Sequence, residues 1–421
     1  QPPPLPDLRP RAARIAEGKA LREAVPRASH AEWRPRKTRR DPMDVLLDSN
    51  QGRSPDLVPI RFGRMVSSPF TFLRGAAALM ASDLATTPVT GLRVQACGDC
   101  HLLNFGLFAT PERNLVFDIN DFDETLPGPW EWDVKRLAVS FAVAGRDGGL
   151  SDDDSHAAAV ACGRSYREHM RAYSRMSPLD VWYDRLDERM LVAMAPAGRS
   201  KQARERLTQK AHKRVAEHLV PEIASRVGGR HELVDQPPLL FHVREERAED
   251  RFREGLAEYR LSLPDERRAL FDRYRLEDFA IKVVGIGSVG TRCFVALASS
   301  PENHPLLLQV KEARRSVLEP YAGESAYDNQ GQRVVVGQRL MQSSSDIFLG
   351  WVRGRRGNDF YVRQLRDMKM SVPLEDMTAP RLRRYAELCG WTLARGHARS
   401  GDAAVISGYL GKTDVFDQAL G

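Results

Sequence analysis

Apolar residues recur at helical spacing near both ends of the chain and crowd into short runs between them. From Ser68, a side chain suited to capping a helix, Pro69 can take the first helical position, and Phe70, Leu73, Ala77 and Met80 follow three or four residues apart. This spacing predicts one helix reaching Leu84. Residues 92–96 and 114–119 read as short strands, and residues 135–144 as a buried helix entered through a loop holding Trp130, Trp132 and Asp133. Residues 150–275 are strongly charged and mostly helical in pattern, with breaks at 196–198 and 228–238 and no recognisable chemistry. The period changes after Phe279. Strands are predicted over 280–284, 291–298 and 306–310, the last ending in Lys311, followed by a helix over 331–342, strands over 347–352 and 360–365, and a helix from about 379 to 399.

These patterns divide the chain into a Pro- and Arg-rich arm (1–55), a helical region with the acidic motifs (56–275), an antiparallel sheet region (276–370) and a closing helix (371–421) that completes the helical unit. The class is α+β. With 421 residues, 42% of them hydrophobic, there is enough chain for two lobes around a cleft. Net charge is +7, but 63 basic and 56 acidic residues are interspersed, which describes a mixed solvated surface. No basic run is interleaved with aromatics as a nucleic-acid groove requires, the densest cluster being Arg34 to Arg40 in the arm. No apolar stretch approaches the roughly 20 residues of a membrane span. The charged start and an odd count of five cysteines predict a cytoplasmic protein without a disulfide framework.

Candidate chemistry is concentrated at two places. In Cys97-Gly98-Asp99-Cys100-His101-Leu102-Leu103-Asn104, an acid is followed by an amide five residues later, and Asp118-Ile119-Asn120-Asp121-Phe122-Asp123 brings further acids at the end of an apolar strand. Asp99 is placed to accept the proton of an incoming hydroxyl, while Asn104 and Asp121 supply oxygen ligands for a divalent metal against nucleotide phosphates. Far later, Gly285-Ile286-Gly287-Ser288-Val289-Gly290 forms a turn whose backbone amides can approach phosphates. The same string fits a dinucleotide-binding turn, but strand formers follow it where that turn requires a helix. Lys311, a single charge closing an apolar strand, calls for an anionic partner such as the ATP phosphates. Glu319 and Glu324 are the candidate acids to hold it, with Gln338 as a stand-in. Arg74 is also within a helix's reach of a phosphate. Cys97 and Cys100 match a dithiol spacing, yet lack a companion ligand pair or redox signature, and read as packing residues.

The strings Gly98-Asp99-x-His101-x-x-Asn104 and Asn120-Asp121-Phe122 resemble the catalytic and metal loops of aminoglycoside and choline kinases, members of the protein-kinase-like superfamily. The stretch from Arg64-Met65 and Ser68-Pro69-Phe70 through Asp133-Val134-Lys135-Arg136-Leu137 resembles a bacterial family catalogued as a domain of unknown function. The superfamily resemblance implies a two-lobed, ATP- and magnesium-dependent phosphotransferase with Asp99 as base, Asn104 and Asp121 on the metal, and Lys311 on the phosphates. It further implies that Gly285, Gly287, Ser288 and Gly290 cover the nucleotide, that the backbone at Gln364 and Leu365 meets the adenine, and that His101 and Asp133 support the loop. In that superfamily the glycine turn and lysine precede the catalytic loop; here they follow it, which implies a circular permutation with the helical lobe first. The acceptor hydroxyl is not specified. A nucleotide-binding regulatory module without turnover, a nucleotidyl transferase and, more remotely, a thiol redox protein are the other readings.

Overall fold

The computed structural model describes residues 8–187, 216–227, 230–242, 245–365, 370–374 and 377–421. Its helical unit begins as the sequence predicts. Ser68 caps the Pro69–Gly75 helix, its hydroxyl accepting from the Thr71 N–H while the Thr71 hydroxyl accepts from the Ser68 N–H. The single helix expected to Leu84 is two, because the backbone at Ala76 leaves helical geometry and Ala77–Leu84 starts afresh. The break seats Gly75 against Met65, whose Cγ would lie 2.4 Å from any Cβ placed there.

The next segment folds back and forth through β1 (Arg93–Ala96), β2 (Phe105–Ala109), β3 (Leu115–Ile119) and β4 (Leu126–Pro129), with β1 antiparallel to β4 and β2 antiparallel to β3. Strand β2 was not expected: the loop after Asp99 is so short that Phe105 already pairs with Ile119. The Trp130–Asp147 helix starts at Trp130 itself, so the predicted loop over 130–133 is its first turn, and Glu131 and Asp133 lie where negative charge complements the helix N-terminus. Asp118 is fully buried in an ion pair with Arg395 at 2.6 Å and accepts from both the Ser343 N–H and hydroxyl. It is a structural acid.

Short strands β5 (Leu186–Asp187), β6 (Ala224–Val227), β7 (Arg230–Leu233) and β8 (Leu240–Phe241) precede the main sheet, formed by β9 (Arg275–Lys282), β10 (Cys293–Ser299), β11 (Pro305–Ala313), β12 (Gly350–Arg353) and β13 (Asp359–Gln364). The order is β12-β13-β11-β10-β9-β8, and every pairing is antiparallel. A further strand, β14 (Met370–Ser371), extends the β2–β3 hairpin, giving the order β14-β2-β3-β5. The glycine turn joins β9 to β10 as a hairpin, not a helix. Lys311 sits within β11, opposite Cys293 and Tyr361, and does not end the strand as predicted. Alternation explains its placement: Leu306, Leu308 and Val310 pack outward against Tyr259 and Leu263, while Gln309 and Lys311 face the other way. The Ala248–Leu261 helix covers that outer face, so residues ahead of 276 also build the sheet layer. The predicted break at 196–198 lies outside the described residues.

The Gln330–Met341 helix lies between sheet and helices, and Val334, Val335 and Met341 join one core with Phe105, Trp130 and Leu393. The Asp152–Tyr173 and Ala379–Ser400 helices pack closely where a Cβ at Gly390 would stand 2.4 Å from the Cys162 carbonyl. In the N-terminal arm, the Arg11–Ala24 helix crosses the Ala403–Leu410 helix through two glycines: Gly18 faces the Val405 carbonyl and Gly408 the backbone of Ile15. No described helix is long and apolar enough to cross a membrane.

The crossing gives a prediction whose sign is diagnostic. Gly408→Ala puts a Cβ 2.3 Å from the Ile15 carbonyl oxygen, so it should lower stability by about 1–3 kcal/mol in urea unfolding, by overpacking. Without that contact, alanine within a helix would raise stability by roughly 1 kcal/mol, and an increase would refute the crossing.

Candidate active site

Strand β1 delivers the first acidic loop, and one glycine sets its turn. Gly98 has φ of +87° and lies against Glu124, whose carbonyl oxygen would be 2.3 Å from a Cβ. The Asp133 carboxylate holds the turn by accepting from the Cys97 N–H at 2.6 Å and the Gly98 N–H at 2.9 Å. Asp133 is also 3.1 Å from His397 Nε2, and the Tyr166 hydroxyl lies 2.9 Å from His397 Nδ1. Asp133 and His397 are both buried, so this chain of contacts ties the loop to the closing helix.

Past the turn, the Asp99 carbonyl accepts from the His101 N–H at 3.0 Å and from the Asn104 side-chain amide at 2.6 Å. Asn104 thereby turns its amide nitrogen toward its own loop and leaves its carbonyl oxygen as the end suited to a cation. The Asp99 carboxylate does not stand alone. Its Oδ1 accepts from Arg136 Nε at 2.8 Å and from a second nitrogen of the same guanidinium, and Oδ2 lies 3.9 Å from His101 Nε2. His101 is buried, and burial pushes its imidazole pKa down to about 4, with nearby Asp99 opposing and Arg136 and Arg74 reinforcing that fall. It is neutral at ordinary pH.

The second acidic segment lies beside this loop, where the Cys97 thiol donates to the Asp121 carbonyl at 3.4 Å. Lys311 is 3% exposed and donates to Asp123 Oδ2 at 2.7 Å, with Asp121 Oδ2 at 3.7 Å. Burial lowers the ammonium's pKa, but Asp121, Asp123 and Tyr361 outweigh it and leave the pKa well above its ordinary value. The expected acids do not hold Lys311: Glu319 and Glu324 both pair with Arg315, and Gln338 donates to Gln342. The partner is Asp123, which also accepts from the Tyr361 hydroxyl at 2.6 Å and the Ser288 hydroxyl at 3.3 Å. Asp121 accepts from the Asp123 N–H at 3.2 Å, and its side chain is about one third exposed.

Two adjoining cavities of about 200 and 270 Å3 open between helices and sheet. Asp99, Asn104 and Gly287 line the first; Lys311, Gln364 and Leu365 line the second; Asp121, Gly285 and Ser288 line both. Gly290 lines neither. It turns at φ of +87°, and its carbonyl accepts from the Ser54 N–H at 2.8 Å. Arg53 and Arg64 likewise donate to the Val289 and Gly285 carbonyls, each at 2.6 Å, so the arm and the following helix strap the glycine turn. The backbone N–H groups of Gln364 and Leu365 are taken, by the Asp346 carboxylate and by the Leu307 carbonyl at 2.9 Å, which leaves their side chains and carbonyls to a ligand. A third cavity, apolar and lined by Phe252, Phe279 and Phe294, lies on the outer sheet face away from every predicted residue.

The donor set suits a hard cation. Asn104 and Asp121 offer oxygen only, and no three His, Cys, Asp or Glu side chains among the described residues group to hold an ion alone. Such a site fits magnesium, which binds through one or two protein ligands and completes its shell with water and phosphate oxygens. A thiol role has no support: Cys97 and Cys100 are both buried, and burial holds the Cys100 thiol well above its ordinary pKa, far from a reactive thiolate. Sequence reasoning singled out Arg74 but missed Asp123, Arg136 and the other arginines around the first cavity, Arg53, Arg61 and Arg314. Arg136 carried a usable signal, since it lies one turn beyond Asp133 on the same helix and both reach the Gly98-Asp99 turn.

Together these features define an α+β protein with antiparallel sheets and an acidic cleft shared by an early and a late segment. A sequence profile described as "Uncharacterized protein conserved in bacteria (DUF2252)" matches residues 53–421, and the chain belongs to that family. No curated protein and no solved structure matches it.

The buried histidine sets a pH dependence. Between pH 6.5, its ordinary value, and about 4, the unfolded chain protonates His101 while the folded one does not. The unfolded state then binds more protons, so stability falls as pH drops through that window, by at most about 1.4 kcal/mol per unit from this group. Urea unfolding at pH 7 and 5 should show a smaller loss for His101→Gln than for the unaltered protein; equal losses would contradict the assignment.

Proposed function

We propose that the protein is an ATP- and magnesium-dependent phosphotransferase acting on an acceptor hydroxyl, with a kinase-like, circularly permuted arrangement of its parts. The observation that carries this reading is the meeting of Lys311 with Asp121 and Asp123, 188 residues apart in the case of Asp123, at the junction of two cavities beneath a glycine turn. A metal ion bound there would neutralise charge on the transferring phosphoryl group. Asn104 and Asp121 would hold it from the protein side. Lys311, kept charged by its acidic neighbours, would bind phosphate oxygens, and the turn at Gly285, Gly287 and Ser288 would cover them. Asp99 would use Oδ2, the oxygen not held by Arg136, to orient the acceptor hydroxyl and take its proton as the acceptor oxygen bonds to the γ-phosphorus and the bond to the ADP oxygen breaks.

A second reading, a nucleotide-binding module without turnover, draws on the Asp99–Arg136 ion pair, which occupies one oxygen of the carboxylate assigned as base.

Thermal unfolding with ATP and magnesium tests nucleotide binding, which both readings require. Saturation to 100 times Kd should stabilise the protein by about 2.7 kcal/mol, and Asp121→Ala should lose the magnesium-dependent part of that gain, measured against its own lower stability without ligand, since Lys311 then loses one of its two acids. No stabilisation at millimolar ATP would sink both nucleotide readings. Asp99→Asn should still bind, should release no ADP with any acceptor that the unaltered protein uses, and should be less stable because the buried Arg136 charge loses its counter-ion. Full turnover by that variant would remove Asp99 from the reaction.

A further inference from the structure

Charges around the first cavity are distributed unevenly between paired acids and unpaired bases. Each carboxylate on its wall has a partner: Asp99 has Arg136, Asp121 and Asp123 have Lys311, and Glu312 is 3.0 Å from Arg292. Glu124 accepts from the Val317 N–H at 2.7 Å, and burial raises its pKa to about 7, which reduces its charge. The arginines differ. Arg53, Arg61, Arg74 and Arg314 all line the cavity, and among the described residues none has a carboxylate within ion-pair distance.

Three of the four are held by neutral groups. Arg53 donates to the Ser49 and Val289 carbonyls, Arg61 to the Asn50 side chain and the Gly75 carbonyl, and Arg314 to the Ser49 and Gln51 carbonyls. These contacts fix the side chains without cancelling their charge. Arg53 shows the result: burial, followed by repulsion from Arg61 and Arg314, lowers its pKa to about 9. Arg74 goes further, because among the described residues nothing accepts a hydrogen bond from its side chain, although the Asp99 and Asp121 charges act on it, and it stands between the Gly287 turn and the Asp99 loop. A partly buried guanidinium without a hydrogen-bond acceptor is costly, and a bound anion removes that cost.

We infer that the first cavity is the acceptor side of the site and that Arg74, with Arg53, Arg61 and Arg314, makes it a subsite for an anionic group, so the acceptor is a small molecule carrying a phosphate or carboxylate besides its hydroxyl. Naming this ligand the acceptor rests on the phosphotransferase reading; the anion subsite does not. The second cavity, with Lys311 and Gln364, is left to the nucleotide. The same four charges repel an acceptor that is itself a cation, such as an amino sugar or a quaternary ammonium. Strapping of the glycine turn by Arg53, Ser54 and Arg64 narrows entry from the arm side, which favours a small acceptor over a polypeptide.

Calorimetric titration of the full chain with inorganic phosphate, with and without a saturating nonhydrolysable ATP analogue and magnesium, tests the subsite. Phosphate should bind in both cases, and Arg74→Gln should weaken it by about tenfold or more, the effect of one charge-assisted hydrogen bond, while leaving affinity for the analogue within about twofold. Arg146→Gln, on a remote surface pair with Asp152, serves as the unaffected control. Phosphate that is displaced by the analogue, or that binds equally to Arg74→Gln, overturns the inference even if the analogue binds well. Arg74-dependent phosphate binding by a protein that ignores the analogue upholds the subsite and removes the nucleotide reading. Paired acceptor trials complete the test: glycerol 3-phosphate or ribose 5-phosphate should release more ADP than glycerol or ribose, and a preference for choline would overturn it.

Discussion

A lysine ammonium buried within a strand cannot remain charged without a carboxylate at hydrogen-bond distance, and the rest of the site is arranged around that requirement. Lys311 finds its carboxylate on Asp123, from the other half of the chain. The same carboxylate accepts from Tyr361, on the neighbouring strand, and from Ser288, in the glycine turn, so one side chain fixes sheet, turn and acidic segment together. Arg333 secures it from behind by donating to the Asp123, Thr125 and Arg314 carbonyls. With Asp123 committed, Asp121 two residues away is the acid left facing both cavities. The division of labour between two neighbouring aspartates follows from the burial of one cation.

A second constraint acts on the opposite wall. The Asp99 turn is stationed by Asp133, and Asp133 by His397, which belongs to the closing helix. The Ala379–Ser400 helix is therefore part of the support of the first acidic loop. This dependence makes sense of a chain order in which the helix that steadies the loop comes late: the turn has its full set of contacts only when the Ala379–Ser400 helix has docked. The glycine crossing of the arm with the Ala403–Leu410 helix works in the same direction.

The sequence disclosed most where local chemistry decides the outcome. Ser68 with Pro69 marks a helix start in any context, and the strand formers after Gly290 rule out a helix whatever packs around them. Spacing alone joined Asp99 to Asn104, because a five-residue loop is closed by its own hydrogen bonds. What escaped were relationships made by tertiary packing. The break at Ala76 depends on Met65, strand β2 on a partner strand, and the choice of Asp123 over Glu319 for Lys311 on which backbone passes the ammonium. The arginine wall was hidden for the same reason: only Arg74 reads as a phosphate contact, while Arg53, Arg61 and Arg314 come from separate segments and each alone reads as an ordinary surface charge.

Arg136 presents the sharpest conflict within the site, since it occupies one oxygen of the carboxylate that is to take the acceptor's proton. On the phosphotransferase reading the conflict resolves in favour of geometry. Phosphoryl transfer through a loose transition state requires little proton abstraction before the bond to the leaving oxygen is largely broken, and it gains chiefly from alignment and fixed charge. An aspartate whose Oδ1 is anchored by a buried arginine presents Oδ2 in one direction, without the freedom that an unpaired side chain would have to lose on binding. The pair thus fixes the orientation of Asp99, and the neutrality of His101 beside it leaves Arg136 as the group that sets that orientation.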